Sequence, residues 1–344
     1  MVEILTFEQA LDCANQKPSN KHLLLGNGFS IACRSDIFLY GRLFERANFD
    51  KNSPKIPEVF QTLDTTDFEK VIQALRNLSN LIPLYIDNQE NIVQQIRSEA
   101  EEVKEILVQT IASSHPERPS DIANDEYASC RQFLSNFNKI YTLNYDLLLY
   151  WTIMQEEIEP SLNKLDDAFR ASRDNPEAEY VTFEPDQGNN QTIIYLHGAL
   201  HLFDAGYELQ KYTWINTGVA LIDQIRFALD NNLFPLFVAE GNSQDKLNKI
   251  GHNAYLARAY RSFSQIGGVL FIYGHSLAEN DDHIINLIKR GKTSHLFISI
   301  YGDQHKTSNQ DIIKKALWIK EIRDQGKNQL QVHFYDAESA RVWN

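Results

Sequence analysis

Short apolar runs punctuate a largely polar chain, and six of them have the length and content of buried strands: His22–Leu25, Lys139–Leu143, Thr192–Leu196, Leu236–Ala239, Val269–Tyr273 and Leu296–Tyr301. Leu330–Phe334 is a candidate seventh. Most are followed by Gly, Asn, His or Asp and then by a helical pattern, the alternation of a parallel sheet covered by helices on both faces. The pattern predicts a doubly wound, mostly parallel α/β fold.

A different texture lies between the first and second runs. Phe68, Val71, Ile72, Leu75, Leu78 and Ile82 fall at helical spacing, and Val93, Ile96, Ala100, Val103, Leu107 and Ile111 repeat it. Residues 52–130 therefore read as an inserted helical module in an α/β domain made of residues 1–51 and 131–344. Its borders are Asn52-Ser53-Pro54 and His115-Pro116-Glu117-Arg118-Pro119. The acidic run 98–105 is the solvated face of the second helix. A polar segment, 156–188, is expected to run as helix and loop.

Composition narrows the function. With 43% hydrophobic and 23% charged residues the chain is globular rather than disordered. A formal charge of −13 disfavours a DNA-binding face, which needs basic residues. The first ten residues lack the basic and apolar pattern of an export signal, and no apolar run reaches the ~20 residues that span a bilayer. Cys13, Cys33 and Cys130 form no CxxC pair, so a reducing, cytoplasmic setting is expected and no structural metal.

Candidate chemistry sits at the ends of four predicted strands. Gly26-Asn27-Gly28-Phe29-Ser30 is a glycine turn leading into a helix, a backbone that can approach a phosphate or simply make a tight corner; Ser30 could cap that helix or bond a phosphate oxygen. Thr142-Leu143-Asn144-Tyr145-Asp146 places polar side chains where ligands gather beyond a strand, although Asn144 or Asp146 could equally cap the following helix. His197-Gly198 follows the third strand; His201 stands four residues on, without the Glu of a zinc-protease helix. Gly274-His275-Ser276-Leu277-Ala278 precedes Asp281 and Asp282. With Asp303 and His305 it has the order of a serine-hydrolase triad, in which Ser276 would be the nucleophile, but Ala278 replaces the last glycine of the elbow.

Taken in order, the motifs Gly26–Ser30, Thr142–Asp146, His197-Gly198 and Gly274–Leu277 resemble the sirtuin superfamily, in particular its bacterial NAD-hydrolysing branch in anti-phage defence. The resemblance covers residues 1–50 and 131–344 and implies a Rossmann-like fold. It implies His197 as the base and Asn144 as holder of the nicotinamide ribose or the attacking water. The implied NAD-facing set is Gly26, Asn27, Gly28, Ser30, Thr142, Asp146, Gly274 and Ser276, with the first glycines and Ser30 at the pyrophosphate, Asp146 near nicotinamide, and Gly274 and Ser276 at the adenosine end. Ala32-Cys33-Arg34-Ser35-Asp36 replaces the deacylase loop and the four zinc cysteines are absent, which weakens a protein-deacylase reading.

The resemblance therefore implies an NAD+ glycohydrolase that makes nicotinamide and ADP-ribose, takes NAD as substrate and needs no metal. A gate on activity is implied too, through homo-oligomer formation or a partner such as a ring-forming ATPase. This chain carries no G-x-x-x-x-G-K-[ST] motif of its own. A non-catalytic NAD or ADP-ribose sensor is the alternative from a different class.

Overall fold

The computed structural model describes residues 2–344 apart from 17–18, 50–54, 160–161, 163–164, 172–174, 185–190, 215, 232 and 240–241. The expected border Asn52-Ser53-Pro54 lies outside the described residues. In chain order the strands are β1 (Ile4–Leu5), β2 (Lys21–Leu25), β3 (Lys139–Thr142), β4 (Phe169–Ala171), β5 (Tyr180–Phe183), β6 (Ile193–Tyr195), β7 (Leu202–Asp204), β8 (Leu209–Tyr212), β9 (Gly267–Tyr273), β10 (Lys292–Ile300) and β11 (Gln331–Asp336).

Seven of these form one sheet in the order β1-β11-β10-β9-β2-β3-β6, every pair parallel. Parallel strands are covered on both faces, and the residues show it by alternating between two cores. Leu23, Leu25, Phe271, Tyr273 and Phe297 face one core, with Phe7, Val71, Leu107, Phe133 and Trp151. Leu24, Leu270, Ile272, Leu296 and Ile298 face the other, with Phe263, Ile284, Ile288, Ile313 and Ile319. Counted from β2, the strands β3 and β6 continue on one side and β9, β10 and β11 on the other. With β1 set apart at the edge beyond β11, the other six strands have the order 3-2-1-4-5-6, whose winding reverses between β2 and β9 and leaves a crevice at their carboxyl ends.

Helices Phe68–Tyr85 and Glu90–Ser114 occur where the apolar spacing places them. Asp67 caps the first through its carboxylate, which accepts the N–H of Glu69 at 3.0 Å. Their apolar stripe is part of the sheet's own core, and helix Asn124–Ser135 runs across the expected border at residue 130. All three cysteines are free.

The structure corrects two expectations. Leu236–Ala239 is not a strand of the sheet: Phe237 forms an isolated antiparallel bridge with Gly198, its neighbours' backbone bonds being taken up by the turn after β6. The segment 156–188 is not helix and loop, since it holds β4 and β5, which pair with β8 and β7 in a small antiparallel sheet. Its residues 160–161, 163–164, 172–174 and 185–188 lie outside the described ones.

Near the far end of the chain, the indole N–H of Trp343 donates to the Phe29 carbonyl at 2.9 Å, and the two rings pack at 5.1 Å. No helix among the described residues is long and apolar enough to cross a membrane.

Candidate functional site

The glycine turns at the ends of β2 and β9 are packed backbone against backbone. The N–H of Gly28 donates to the Gly274 carbonyl at 2.8 Å, and that of Gly26 to the Tyr273 carbonyl at 2.9 Å. A Cβ on Gly28 would sit 2.5 Å from the Gly274 Cα, so neither position tolerates a side chain. Ala32–Asp36 continues into the short helices Gly28–Cys33 and Ser35–Phe38, where the Arg34 guanidinium forks onto Glu126 at 2.6 and 3.0 Å.

Beyond them opens a cavity of about 1180 Å³, somewhat above the usual range of small-molecule sites. Gly26, Asn27, Gly28, Asn144, Asp146, His197, Gly274 and Ser276 all line it. Ser30 and Thr142 stand behind the wall. Ser30 is fully buried; its hydroxyl accepts from the Asn144 amide at 2.9 Å and donates to the Asp146 carboxylate, so it orients Asn144 and does not face the cavity. The Thr142 hydroxyl accepts the Asn144 N–H at 3.0 Å. The Asp146 carboxylate also accepts the N–H of Leu148, the first residue of the following helix, at 2.9 Å. Burial pushes the Asp146 carboxyl up, and the bonds from Ser30 and Leu148 oppose that.

Ser30→Ala should therefore cost about 1–3 kcal/mol in denaturant unfolding, because it leaves a buried carboxylate oxygen without its donor. An unchanged midpoint would mean that the Asn144-Ser30-Asp146 chain carries no stability.

Two neighbours steady the rest of the wall. His115, at the end of helix Glu90–Ser114, bonds the Pro116 carbonyl through Nδ1 and accepts the Leu147 N–H at Nε2, 3.1 Å away. The His197 turn is clamped by the 236–239 segment: the Val238 N–H donates to the His197 carbonyl at 2.9 Å, and the Ala199 N–H to Leu236 at 3.0 Å. Gly198 has φ +74°, and a Cβ there would meet the Leu236 oxygen at 2.0 Å.

A charged cluster that no spacing in the sequence announces lies beside His197. Lys246 is 1% exposed and reaches Glu69 at 2.7 Å and Asp281 at 3.0 Å. Asn280 and Tyr145 also donate to Glu69, at 2.8 and 3.3 Å. His275 takes the Leu277 N–H on Nδ1 at 3.0 Å, so its Nε2 carries the proton toward Asp281 at 3.1 Å. Burial pushes the Glu69 carboxyl up, with Lys246 opposing it. The two carboxylates hold the Lys246 ammonium well above its ordinary value against the cost of burial.

His197 itself is buried, and its Nε2 lies 2.9 Å from Nε2 of His283. Burial holds both imidazoles below their ordinary value, His283 at about 4, so both are free bases at neutral pH. Donor atoms of His197, Asp281 and His283 lie within 4.8 Å of one another, a set of the kind that holds a divalent metal, though Asp281 already takes Lys246 and His275. His201 is elsewhere, fully buried and stacked on Tyr150 at 4.6 Å. The serine-hydrolase order is not assembled: the Asp303 carboxylate accepts the backbone N–H of His305 at 2.9 Å, and both residues are exposed, as is Ser276.

A parallel sheet with six strands in the order 3-2-1-4-5-6, and a cavity at its point of reversal, makes this a Rossmann-like α/β protein. Within that class the chain belongs to the family of the domain of unknown function DUF4917, whose model matches residues 23–343. No curated protein matches the chain.

Proposed function

We propose that the cavity binds NAD+ and hydrolyses the bond between ribose and nicotinamide, releasing nicotinamide and ADP-ribose. The observation that carries this reading is the convergence of Asn144, Asp146 and His197 on one cavity at adjacent strand ends, beside the paired glycine turns. Nicotinamide leaves as a neutral base from a cationic ring, so the demand falls on an oxocarbenium-like ribose and on the water that meets it. His197, kept a free base by burial, accepts the proton of that water or of a ribose hydroxyl. The Asn144 amide, held by Ser30, orients the reacting oxygen. As the water oxygen bonds to the ribose carbon, the electron pair of the glycosidic bond returns to the pyridine nitrogen.

The finer parts of this reading are a sirtuin-like domain carrying residues 52–130 as a helical insertion, a cytoplasmic setting, and a gated role in anti-phage defence. Assembly with further copies or a partner is supported by apolar side chains at the far end of the helical pair, where Leu84 and Tyr85 are 74% and 83% exposed. A sensor that binds NAD+ or ADP-ribose without cleaving it is favoured by one observation: His197 is only 3% exposed and already engaged by His283.

Chromatography of NAD+ incubated with concentrated protein tests these readings. We expect nicotinamide and ADP-ribose with the wild type, and turnover lower by ~10²-fold or more in His197→Ala and in Asn144→Ala with folding intact. Full turnover in both variants would remove the assigned roles. NAD+ binding without nicotinamide release would point to a gated enzyme or to the sensor, and absence of binding would sink both readings.

A further inference from the structure

His197 and His283 come from separate elements, the turn after β6 and the first turn of helix Asp282–Arg290, yet their rings meet nearly parallel, 17° apart with centroids at 5.1 Å. Two imidazole Nε2 atoms at 2.9 Å share one proton, because one must donate and the other accept. The backbone under His283 is fixed, its carbonyl accepting the Tyr260 hydroxyl at 3.1 Å. Nδ1 of His283 is buried without a partner. Nδ1 of His197 has no hydrogen-bond partner among the described residues, and its ring lines the cavity. The titratable groups facing the pair are Asp281, Lys246 and His275, with Asp282 on the His283 side.

We propose that His283 is a positioning residue: it accepts the Nε2–H of His197, which leaves Nδ1 of His197 as the nitrogen that acts as base, and it takes over the proton that catalysis delivers. The inference rests on reading the cavity as an NAD+ hydrolase. When Nδ1 of His197 removes a proton from the attacking water, the proton on its Nε2 passes to Nε2 of His283. One proton enters the pair and one moves on, so no net electron transfer is involved. Asp281 and Lys246 face both rings, and His283 has Asp282 beside it in addition, so the positive charge meets one more carboxylate there than on His197. His197 is then neutral, with its proton on Nδ1; the starting tautomer returns when that proton is lost to solvent and His283 hands its Nε2 proton back to Nε2 of His197.

Nitrogen-15 spectra of the histidine-labelled full chain test the pair without relying on turnover. The wild type should show His197 with a bare Nδ1 and a protonated Nε2, and His283→Phe should lose that single tautomer. In the NAD+ assay, His283→Gln should lower kcat by about 10-fold or more and leave KM within about 2-fold. His283→Ala should recover activity on addition of imidazole, which a purely structural role would not produce. A wild-type His197 protonated on Nδ1, or a tautomer unchanged in His283→Phe, overturns the proposal. So does a tightly held divalent metal found by elemental analysis, since His197, Asp281 and His283 would then be its ligands. If the wild type binds no NAD+, the hydrolase reading fails by itself, and the spectra still decide the pair.

Discussion

Lys246→Met should lower the stability of the protein by about 3–5 kcal/mol, the cost typical of removing one partner from a buried ion pair. Lys246 is 1% exposed and is the cation between Glu69 and Asp281, so its loss leaves two carboxylates in a site with little water. Asp281 keeps the His275 imidazole, and Glu69 keeps the neutral donors Asn280 and Tyr145. Adding Glu69→Gln to Lys246→Met should therefore recover much of the loss. The sign with pH follows from Glu69, whose folded-state carboxyl burial raises and Lys246 opposes. Without Lys246 the folded chain favours the protonated acid. The stability this confers is fully present below the ordinary carboxylate range and disappears as pH rises through the elevated folded value. The deficit against wild type should thus be smallest in acid and grow toward neutral pH. Urea unfolding of both variants at several pH values checks this, and a loss below about 1 kcal/mol at neutral pH would mean that the cluster is hydrated.

Gly28→Ala and Gly274→Ala should each cost at least about 3 kcal/mol and abolish NAD+ binding. The two backbones touch: a Cβ on Gly274 would lie 2.6 Å from the Gly28 Cα, and Gly274 also has φ +68°. Nothing flexible separates them, so β2 and β9 would have to part where the cavity begins. Gly251→Ala is the control, since its Cβ would meet nothing within 4 Å and it lies in helix Ser243–His252. It should be neutral or stabilise by up to about 1 kcal/mol. Equal behaviour of the three variants in thermal unfolding would refute the packing argument.

The parallel sheet was legible because each strand buries both faces and so appears as an uninterrupted apolar run, as in Leu23-Leu24-Leu25. Helices Phe68–Tyr85 and Glu90–Ser114 were legible from one-sided periodicity. The small antiparallel sheet was not, since strands of three or four residues such as Phe169–Ala171 and Leu209–Tyr212 carry too few positions to establish an alternation. Leu236–Ala239 has a strand's composition, and only the neighbouring Gly198 turn decides its fate. In the site, Asn144, Asp146 and His197 stood out because polar residues at the ends of apolar strands are conspicuous. Glu69 and Lys246 did not: they lie 177 residues apart, and a charge on a helix ordinarily signals a wet surface. His283 follows Asp281 and Asp282 closely, but its pairing with His197 depends on a turn 86 residues earlier.

The contact between Phe29 and Trp343 joins residues 314 positions apart, and both Trp343 and Asn344 help wall the cavity. On the ribosome, the glycine turn emerges and must wait until Trp343 has been synthesised before this wall can close. Whatever chemistry the cavity performs is thus withheld from chains not yet extended to Trp343, and termination a few codons upstream of Trp343 would yield a protein with its sheet strands present and its site unfinished.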